Sequence, residues 1–543
     1  MNIFRLCKPY LLNYRRRLAI YIGIILATSV ITIVSPYILG DFLDTLIYGA
    51  NMTSVFVFCA IFGGINVLRI GLGYVTGIIY VRIQSKMGYD LNMDTIKHVQ
   101  QLSLSYATNQ DSAYLNQRIN ADANNLVIFC ITILQNMLSN VIMLVVPLVI
   151  LLRMNWFVAI LLLVFLVVYV LLFVLFREPI YRAGYAMKES QGKFFARLQE
   201  QLKYIEEIKI NSAQPEVNKR ADNSFTGLMG ALVRNQRVSY LYSGLDGMIS
   251  MVAQVALFVI GGLQVLQGNF TIGMFTIFSS YFGMMMGASR YFFNLGANYQ
   301  NVKVSYDRVK EILDMPQEPN GAEKLNRIEA IRLSNVSFSY GKSQTKVLDG
   351  LNVHFTKGKI YGILGGNGTG KSTLIKLIFG MYQNEFQGSI TYNEHSISHV
   401  DMFDTRRRHM ALARQEPVLF GGSIWYNIYY NDTEPETLTP EQKNHLNTLG
   451  MTDFIFQNGW HINETGADLS GGEKQKAAIL KVLCKNTSVM VFDEPTSALD
   501  AKTARDFVSC LQEIKHDKII IVVTHDGWVA DQCDKIIKIK KID

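Results

Sequence analysis

Six stretches of the chain stay apolar for about twenty residues or more, roughly 18–43, 52–80, 127–152, 156–176, 245–267 and 271–293. At ~1.5 Å of rise per residue, a run of ~20 crosses the hydrocarbon of a bilayer. Backbone groups find no water there, so each run has to be a helix. This feature makes the N-terminal part an α-helical membrane bundle and excludes a wholly soluble or disordered chain. Composition agrees. Hydrophobic residues make up 49% of the 543 and charged ones 18%, against ~25% charged in a typical soluble protein. The first run follows Arg15, Arg16 and Arg17, as a signal peptide would. A signal core is only ~7–15 residues long, and this run is longer and lacks a small-residue cleavage site, so it reads as a retained span. Ahead of it, Phe4, Leu6, Tyr10, Leu11 and Leu12 alternate with basic residues in a segment suited to lie on the membrane interface.

Loop charges set the orientation. The turns at 44–51 and 267–271 hold no Lys or Arg, and 153–155 holds only Arg153. Stretch 177–240 holds eleven, and 81–126 contributes Arg82, Lys86, Lys97 and Arg118. Both termini and the two long connections are therefore expected in the cytoplasm, in a multi-pass protein of the cell (inner) membrane surrounded by lipid. The net charge is +9 over 1–315 and −1 over 316–543. The basic excess thus belongs to the membrane part, and no basic stripe with interleaved aromatics suggests nucleic acid as a partner. The six cysteines form no C-x-x-C pair, so no zinc or disulfide framework is expected. The two long connections are polar and helix-favouring, and extend the spans as helices of several turns. Ser105–Ser112 and Asn211–Pro215 interrupt them, at natural places for short transverse helices at the tips.

After Leu313 the pattern changes. Pro316, Pro319, Asn320 and Gly321 mark a linker. Strand and helix patterns then alternate as in an α/β domain. The division is a transmembrane domain over 1–315, a linker over 316–330 and an α/β P-loop domain over 331–543. Gly365-Gly366-Asn367-Gly368-Thr369-Gly370-Lys371-Ser372 fits G-x-x-x-x-G-K-[ST] and lies between a strand-like Ile360–Leu364 and a helical run opening with Thr373. Glycines let the amides close around phosphates at a helix N-terminus. Lys371 neutralises the β- and γ-phosphates of ATP, and the Ser372 hydroxyl is a Mg²⁺ ligand. Val489–Phe492 is a short apolar strand ended by Asp493 and Glu494. Paired carboxylates at a buried strand end are costly unless used. Asp493 is placed to hold Mg²⁺ and Glu494 to polarise the attacking water.

Between these motifs stands Leu469-Ser470-Gly471-Gly472-Glu473-Lys474-Gln475. It resembles LSGGQ, the signature of ATP-binding cassette (ABC) proteins, with glutamate in the fifth place. Six spans followed by one cassette resemble an ABC exporter half-transporter over nearly the whole chain. The resemblance implies further roles. Tyr340 is similar to the aromatic that stacks on adenine, Gln415 to the Q-loop glutamine that senses Mg²⁺, and His525 to the switch histidine on the γ-phosphate. Ser497–Asp500 is similar to the D-loop, placing Asp500 near the nucleotide, and Glu464 to the X-loop glutamate. Ser470, Gly471 and Gly472 would offer donors to the γ-phosphate of ATP held by a second subunit. The expected protein is therefore an ATP hydrolase coupled to transport. It works as a homodimer, since every catalytic position is present, or as a heterodimer with a degenerate partner. Closure of the tips on the cassettes near Gln415 would couple ATP to alternating access.

Substrate signals are few. Arg69, Asp246 and Arg290 fall in or near apolar spans, where charge is expensive. They either line a cavity for polar cargo or pair with each other near the membrane boundary. Met284-Met285-Met286 with Phe282, Tyr291, Phe292 and Phe293 gives an adaptable surface or ordinary packing. The P-loop and signature resemble those of bacterial exporters of small modified peptides. No peptidase-like segment stands ahead of the first span, so leader cleavage is not expected of these residues. A lipid flippase, a multidrug exporter and an importer on the same fold are the alternative readings.

Overall fold

The computed structural model describes all residues except 1, 50, 108–114, 117, 342–344, 431–436, 453–460, 464–468 and 541–543. Glu464 and part of the first tip therefore lie outside the described residues. Two compact units are present: residues 1–97 with 112–314, and residues 98–111 with 315–543.

The first unit is helical: α1 (Asn2–Asn13), α2 (Arg15–Tyr48), α3 (Met52–Gln100), α4 (Ala123–Met154), α5 (Trp156–Lys203), the short α6 (Ile205–Ile210), α7 (Gln214–Leu266) and α8 (Ile272–Leu313). The spans continue unbroken into the polar connections, so α3, α5 and α7 reach 49, 48 and 53 residues. In α1, Ile3 and Cys7 turn into the bundle while Phe4 and Leu12 are exposed. The Tyr10 and Tyr14 hydroxyls donate to Asp94 and Asp90 of α3. The second transverse helix is α6, just ahead of the Asn211–Ser212 turn rather than within it.

Among the described residues, five helices are long and apolar enough to cross a membrane: Arg15–Tyr48, Met52–Gln100, Arg118–Met154, Leu163–Lys203 and Gln214–Leu266. The expected sixth run, 271–293, lies in α8, which is not among them. One face of this helix is packed on protein. Ile277, Phe278, Tyr281, Phe282, Met285, Met286 and Ser289 of α8 are buried. The Tyr281 hydroxyl donates to the Ile33 carbonyl, and the Gln254 amide donates to Ser279. A face turned to protein can carry polar groups such as those of Tyr281 and Ser289, which lower the apolarity of the segment, while Ile272, Met274, Gly283 and Gly287 are exposed. The Met285–Met286 stripe is part of this packing.

One contact sets how closely α2 and α8 approach. A Cβ placed on Gly273 would lie 2.1 Å from the Gly40 carbonyl and 2.4 Å from Asp44 Oδ2. Small residues are what let helix backbones meet. Asp44 then fixes the register, accepting from the Gly273 amide at 2.8 Å and the Thr271 hydroxyl at 2.5 Å. Its charge lies at the N-terminus of α8, where the helix dipole favours an anion. We expect Gly273→Val to destabilise the bundle by ~1–3 kcal/mol through overpacking against backbone, read as a lower melting temperature in detergent. An unchanged melting temperature would mean that the helices do not meet there.

The second unit has two principal sheets. An antiparallel one has the order β2-β1-β4-β5, from β1 (Ala330–Phe338), β2 (Leu348–Thr356), β4 (Phe386–Tyr392) and β5 (His395–Ser396). A parallel one has the order β11-β3-β10-β9-β6, from β3 (Lys359–Leu364), β6 (Met410–Ala413), β9 (Val489–Asp493), β10 (Ile519–Val523) and β11 (Lys535–Lys538). All five residues of β10 are buried, as expected of a central parallel strand covered on both faces. A small pair, β7 (Gly422–Ser423) with β8 (His461–Ile462), lies apart from them. The parallel register brings four strand ends nearly level: Val523 of β10 pairs with Ile363 of β3 and with Asp493 of β9, and Ala413 of β6 pairs with Phe492.

The first tip groups with this unit. Ser103 N donates to the Pro316 carbonyl, and Glu318 N to the Gln101 carbonyl. Leu104 packs on the domain core, and the Ser105 hydroxyl donates to Glu385 at 2.8 Å. The chain leaving the bundle is held by a half-buried pair between Arg406 and Glu318.

Candidate functional site

The parallel register assembles the site. Strands β3, β10, β9 and β6 are neighbours in that order. The residues just beyond their carboxyl ends are the P-loop from Gly365, then His525, then Glu494, then Gln415. Ligands of open α/β sheets bind at that edge.

The P-loop turns from β3 into α9 (Lys371–Ile378). Gly370 caps this helix at φ 97°, where a side chain would be strained, and a Cβ there would meet the Val347 carbonyl at 3.0 Å. A Cβ on Gly365 would lie 2.6 Å from Thr369 Oγ1 and 2.8 Å from the Ile539 carbonyl. Gly366, Asn367 and Gly368 are exposed, and Thr369 is buried, donating to the Gly366 carbonyl at 3.0 Å. Leu374, Ile375, Leu377 and Ile378 bury the other face of α9 in the sheet core. The Lys371 ammonium donates to the carbonyls of Gly365 and Gly366 at 2.8 and 3.0 Å. Tyr340 stands beside the loop. Its hydroxyl lies 2.8 Å from Thr373 Oγ1, and its ring packs edge-on against Phe338 and Tyr382.

Glu494 is the centre of the arrangement. It is buried, at φ 50°, a region sparsely used by residues other than glycine and often met at functional sites. Its amide donates to the Val523 carbonyl, and its own carbonyl accepts from Ser497 and Gln475. The carboxylate thus faces two partners. Gln415 Nε2 donates to Oε2 at 2.7 Å, and His525 Nδ1 lies 3.1 Å from Oε1. Three residues 31 to 110 positions apart in sequence meet on one carboxylate. Beside it, burial and then the charge of Glu494 hold the Asp493 carboxyl above its usual range. Lys371, a hydrogen bond from Ser372 and Arg414 pull the other way. A carboxylate and a hydroxyl in contact, with a second carboxylate beside them, are a donor set suited to a hard divalent cation.

The remaining candidates lie elsewhere in the same unit. Ser470 caps α10 (Gly471–Lys485). Gly471 is exposed, and a Cβ on Gly472 would meet the Ala498 carbonyl at 3.0 Å, so the signature packs on the Ser497–Asp500 segment. Glu473 completes a capping box with Ser470. Asp500 serves its own helix, α11 (Ala501–Ile514), accepting from the amides of Lys502 and Thr503 and from the Thr503 hydroxyl. The hydroxyl and amide of Thr503 hold its carboxyl down at about 2.

In the helical unit, Arg290 and Asp246 pair at 3.0 Å, and the guanidinium also donates to Tyr169 and Ser250. Arg69 is exposed, with no ion pair among the described residues. Thr373 is a nucleotide-site candidate from the sequence, whereas no motif marks Tyr169, Ser250 or Arg414 as partners in these networks. Sequence reasoning passes over the cap made by Glu473, which the pattern S-x-x-E does mark.

Comparison with known proteins places both units. The family described as "ABC transporter transmembrane region" matches residues 18–289, and the family "ABC transporter" matches residues 348–497. The ABC transporter B family member 1 of Dictyostelium discoideum is 27% identical over 475 residues, 83% of this chain and 51% of that one. This chain thus spans about half the length of that relative. The lactococcin-G-processing and transport ATP-binding protein LagD of Lactococcus lactis subsp. lactis is 24% identical over 520 residues, 94% of this chain and 73% of its own. A solved structure of a bacterial Atm1-family ABC exporter with ATP bound shares the fold, with a TM-score of 0.83 at 22% identity over 98% of this chain and 95% of that one.

Proposed function

Because the chain belongs to the ABC transporters, membrane proteins whose cassette hydrolyses ATP to drive transport, we propose that two copies of it form an exporter of a small, modified peptide. The meeting of Gln415, Glu494 and His525 on one carboxylate beside the P-loop carries the catalytic part of this reading.

In the proposed mechanism, Tyr340 receives the adenine, and the Gly365–Gly370 amides with Lys371 receive the phosphates. Ser372 and Asp493, with Gln415, would hold Mg²⁺, which would supply neutralisation of phosphate charge when bound. Glu494 orients and polarises the attacking water as general base. His525 fixes the Glu494 carboxylate from one side and reaches the γ-phosphate from the other. Ser470, Gly471 and Gly472 of one copy close on the nucleotide of its partner, with Asp500 fixing the start of the helix behind them. These residues include one P-loop and one signature, so two complete sites need two copies. In this reading the cassettes and both termini face the cytoplasm across the cell membrane, which the Lys and Arg excess of the two long connections supports.

The peptide assignment draws on the signature and P-loop residues and on the relative named for lactococcin G. The Arg290–Asp246–Ser250–Tyr169 cluster supplies polar groups at the cytoplasmic end of the spans, suited to a peptide's charged or amide groups. The test is ATPase stimulation of the reconstituted protein by peptides, lipids and dyes. Stimulation by modified peptides alone, with vesicle transport, supports the reading. Stimulation by lipids or dyes alone overturns the substrate.

Coupling has its own expected result. Replacing both tips, 102–107 and 205–212, by Gly-Ser should leave ATP binding near the parent's while abolishing stimulation by substrate. A helix delivers force only through contacts that differ between states. Retained stimulation and transport would route the signal through the 314–330 linker instead.

A further inference from the structure

The fifth signature residue, Glu473, ties up the group that the signature needs. Its carboxylate accepts from the Ser470 amide at 2.7 Å and from the Ser470 hydroxyl at 2.7 Å. In return, the Ser470 hydroxyl accepts from the Glu473 amide at 3.3 Å. The positive end of the α10 dipole lies at the same place. A carboxylate therefore already sits where an anion would be welcomed. Among the described residues no lysine, arginine or histidine forms an ion pair with it, and its carboxylate is held by Ser470 at the helix terminus.

We infer that Glu473 is a positioning residue that opposes closure of the signature on nucleotide and so sets the ATP concentration at which the pair of cassettes engages. This rests on the reading above, in which Ser470 meets the γ-phosphate of ATP bound to the partner copy. The geometry has two effects. The Ser470 hydroxyl has one proton, and it must leave Glu473 before it can be given to a phosphate. The carboxylate, one side-chain length away, also repels that phosphate. Two like charges within several Å of each other at a partly solvated surface interact strongly enough to shift an equilibrium by ~3–10-fold. Glutamine in the same place keeps the capping box, because its side-chain oxygen still accepts from the Ser470 amide. It removes the charge and loosens the grip on the hydroxyl.

The experiment compares ATPase activity against Mg²⁺-ATP concentration for the full-length parent, Glu473→Gln and Ser470→Ala. Glu473→Gln should lower the ATP concentration for half-maximal turnover by ~3–10-fold with an unchanged melting temperature. The gap should narrow as salt rises from about 0.05 to 0.5 M, because screening weakens repulsion. A residue that only capped its helix would leave this midpoint unmoved. Ser470→Ala should lose most turnover. An unchanged or raised midpoint in Glu473→Gln, with turnover lost in Ser470→Ala, overturns the inference alone. Parent-like turnover in Ser470→Ala removes the phosphate from the signature, and the proposed site fails with it.

Discussion

Glu494→Gln lowers ATP hydrolysis at least ~100-fold, the low end of what a general base contributes, while ATP still binds. The substitution changes one atom and leaves the backbone at φ 50° with its amide on Val523. Gln415 can turn its amide, and His525 can change tautomer, so both keep a hydrogen bond to the new side chain. What is lost is the negative charge that polarises water. The expected readout is stoichiometric ATP retained with turnover near background, in a transporter held closed over its nucleotide. Hydrolysis at the parent's rate would place the base on another residue.

Lys371→Ala should also remove hydrolysis, by ~10²–10³-fold or more for loss of a charged donor aimed at developing charge, but by a different route. The ammonium is bonded to the carbonyls of Gly365 and Gly366. Both belong to an open loop in which water can replace it. The fold therefore loses little, and the melting temperature without nucleotide should match the parent's. With ATP the two variants separate: Glu494→Gln is stabilised by nucleotide, and Lys371→Ala is not, because a ligand stabilises a fold only at concentrations that approach or exceed its Kd. Normal turnover in Lys371→Ala would remove the P-loop from the mechanism.

The P-loop, Asp493 and Glu494 are legible in sequence because each is contiguous, and its flanks announce a strand or a helix. The gathering of Gln415 and His525 around Glu494 is legible only through family resemblance. No spacing rule joins positions 415, 494 and 525; the order β3-β10-β9-β6 does, and strand order is a long-range property. Apolar runs mark the membrane helices, yet apolarity measures exposure to lipid rather than membership of the bundle. The segment at 271–293 in α8 carries the polar groups of Tyr281 and Ser289 on a face turned to protein. Arg290 and Asp246 leave two readings open in sequence, and distance shows them paired. In sequence Glu473 stands out only as a departure from LSGGQ. Its place three residues after Ser470 makes it a cap as well, and a single residue can carry both meanings.

The meeting of Gly40 with Gly273 has a kinematic consequence. Two helices in backbone contact, with a carboxylate bridging one to the start of the other, cannot slide or hinge past each other there without breaking the Asp44 bonds. A transport cycle that parted α2 from α8 at this end would have to break those bonds. While they hold, the bundle loses a degree of freedom, and any parting of helices on that side has to run along a seam other than the α2–α8 boundary.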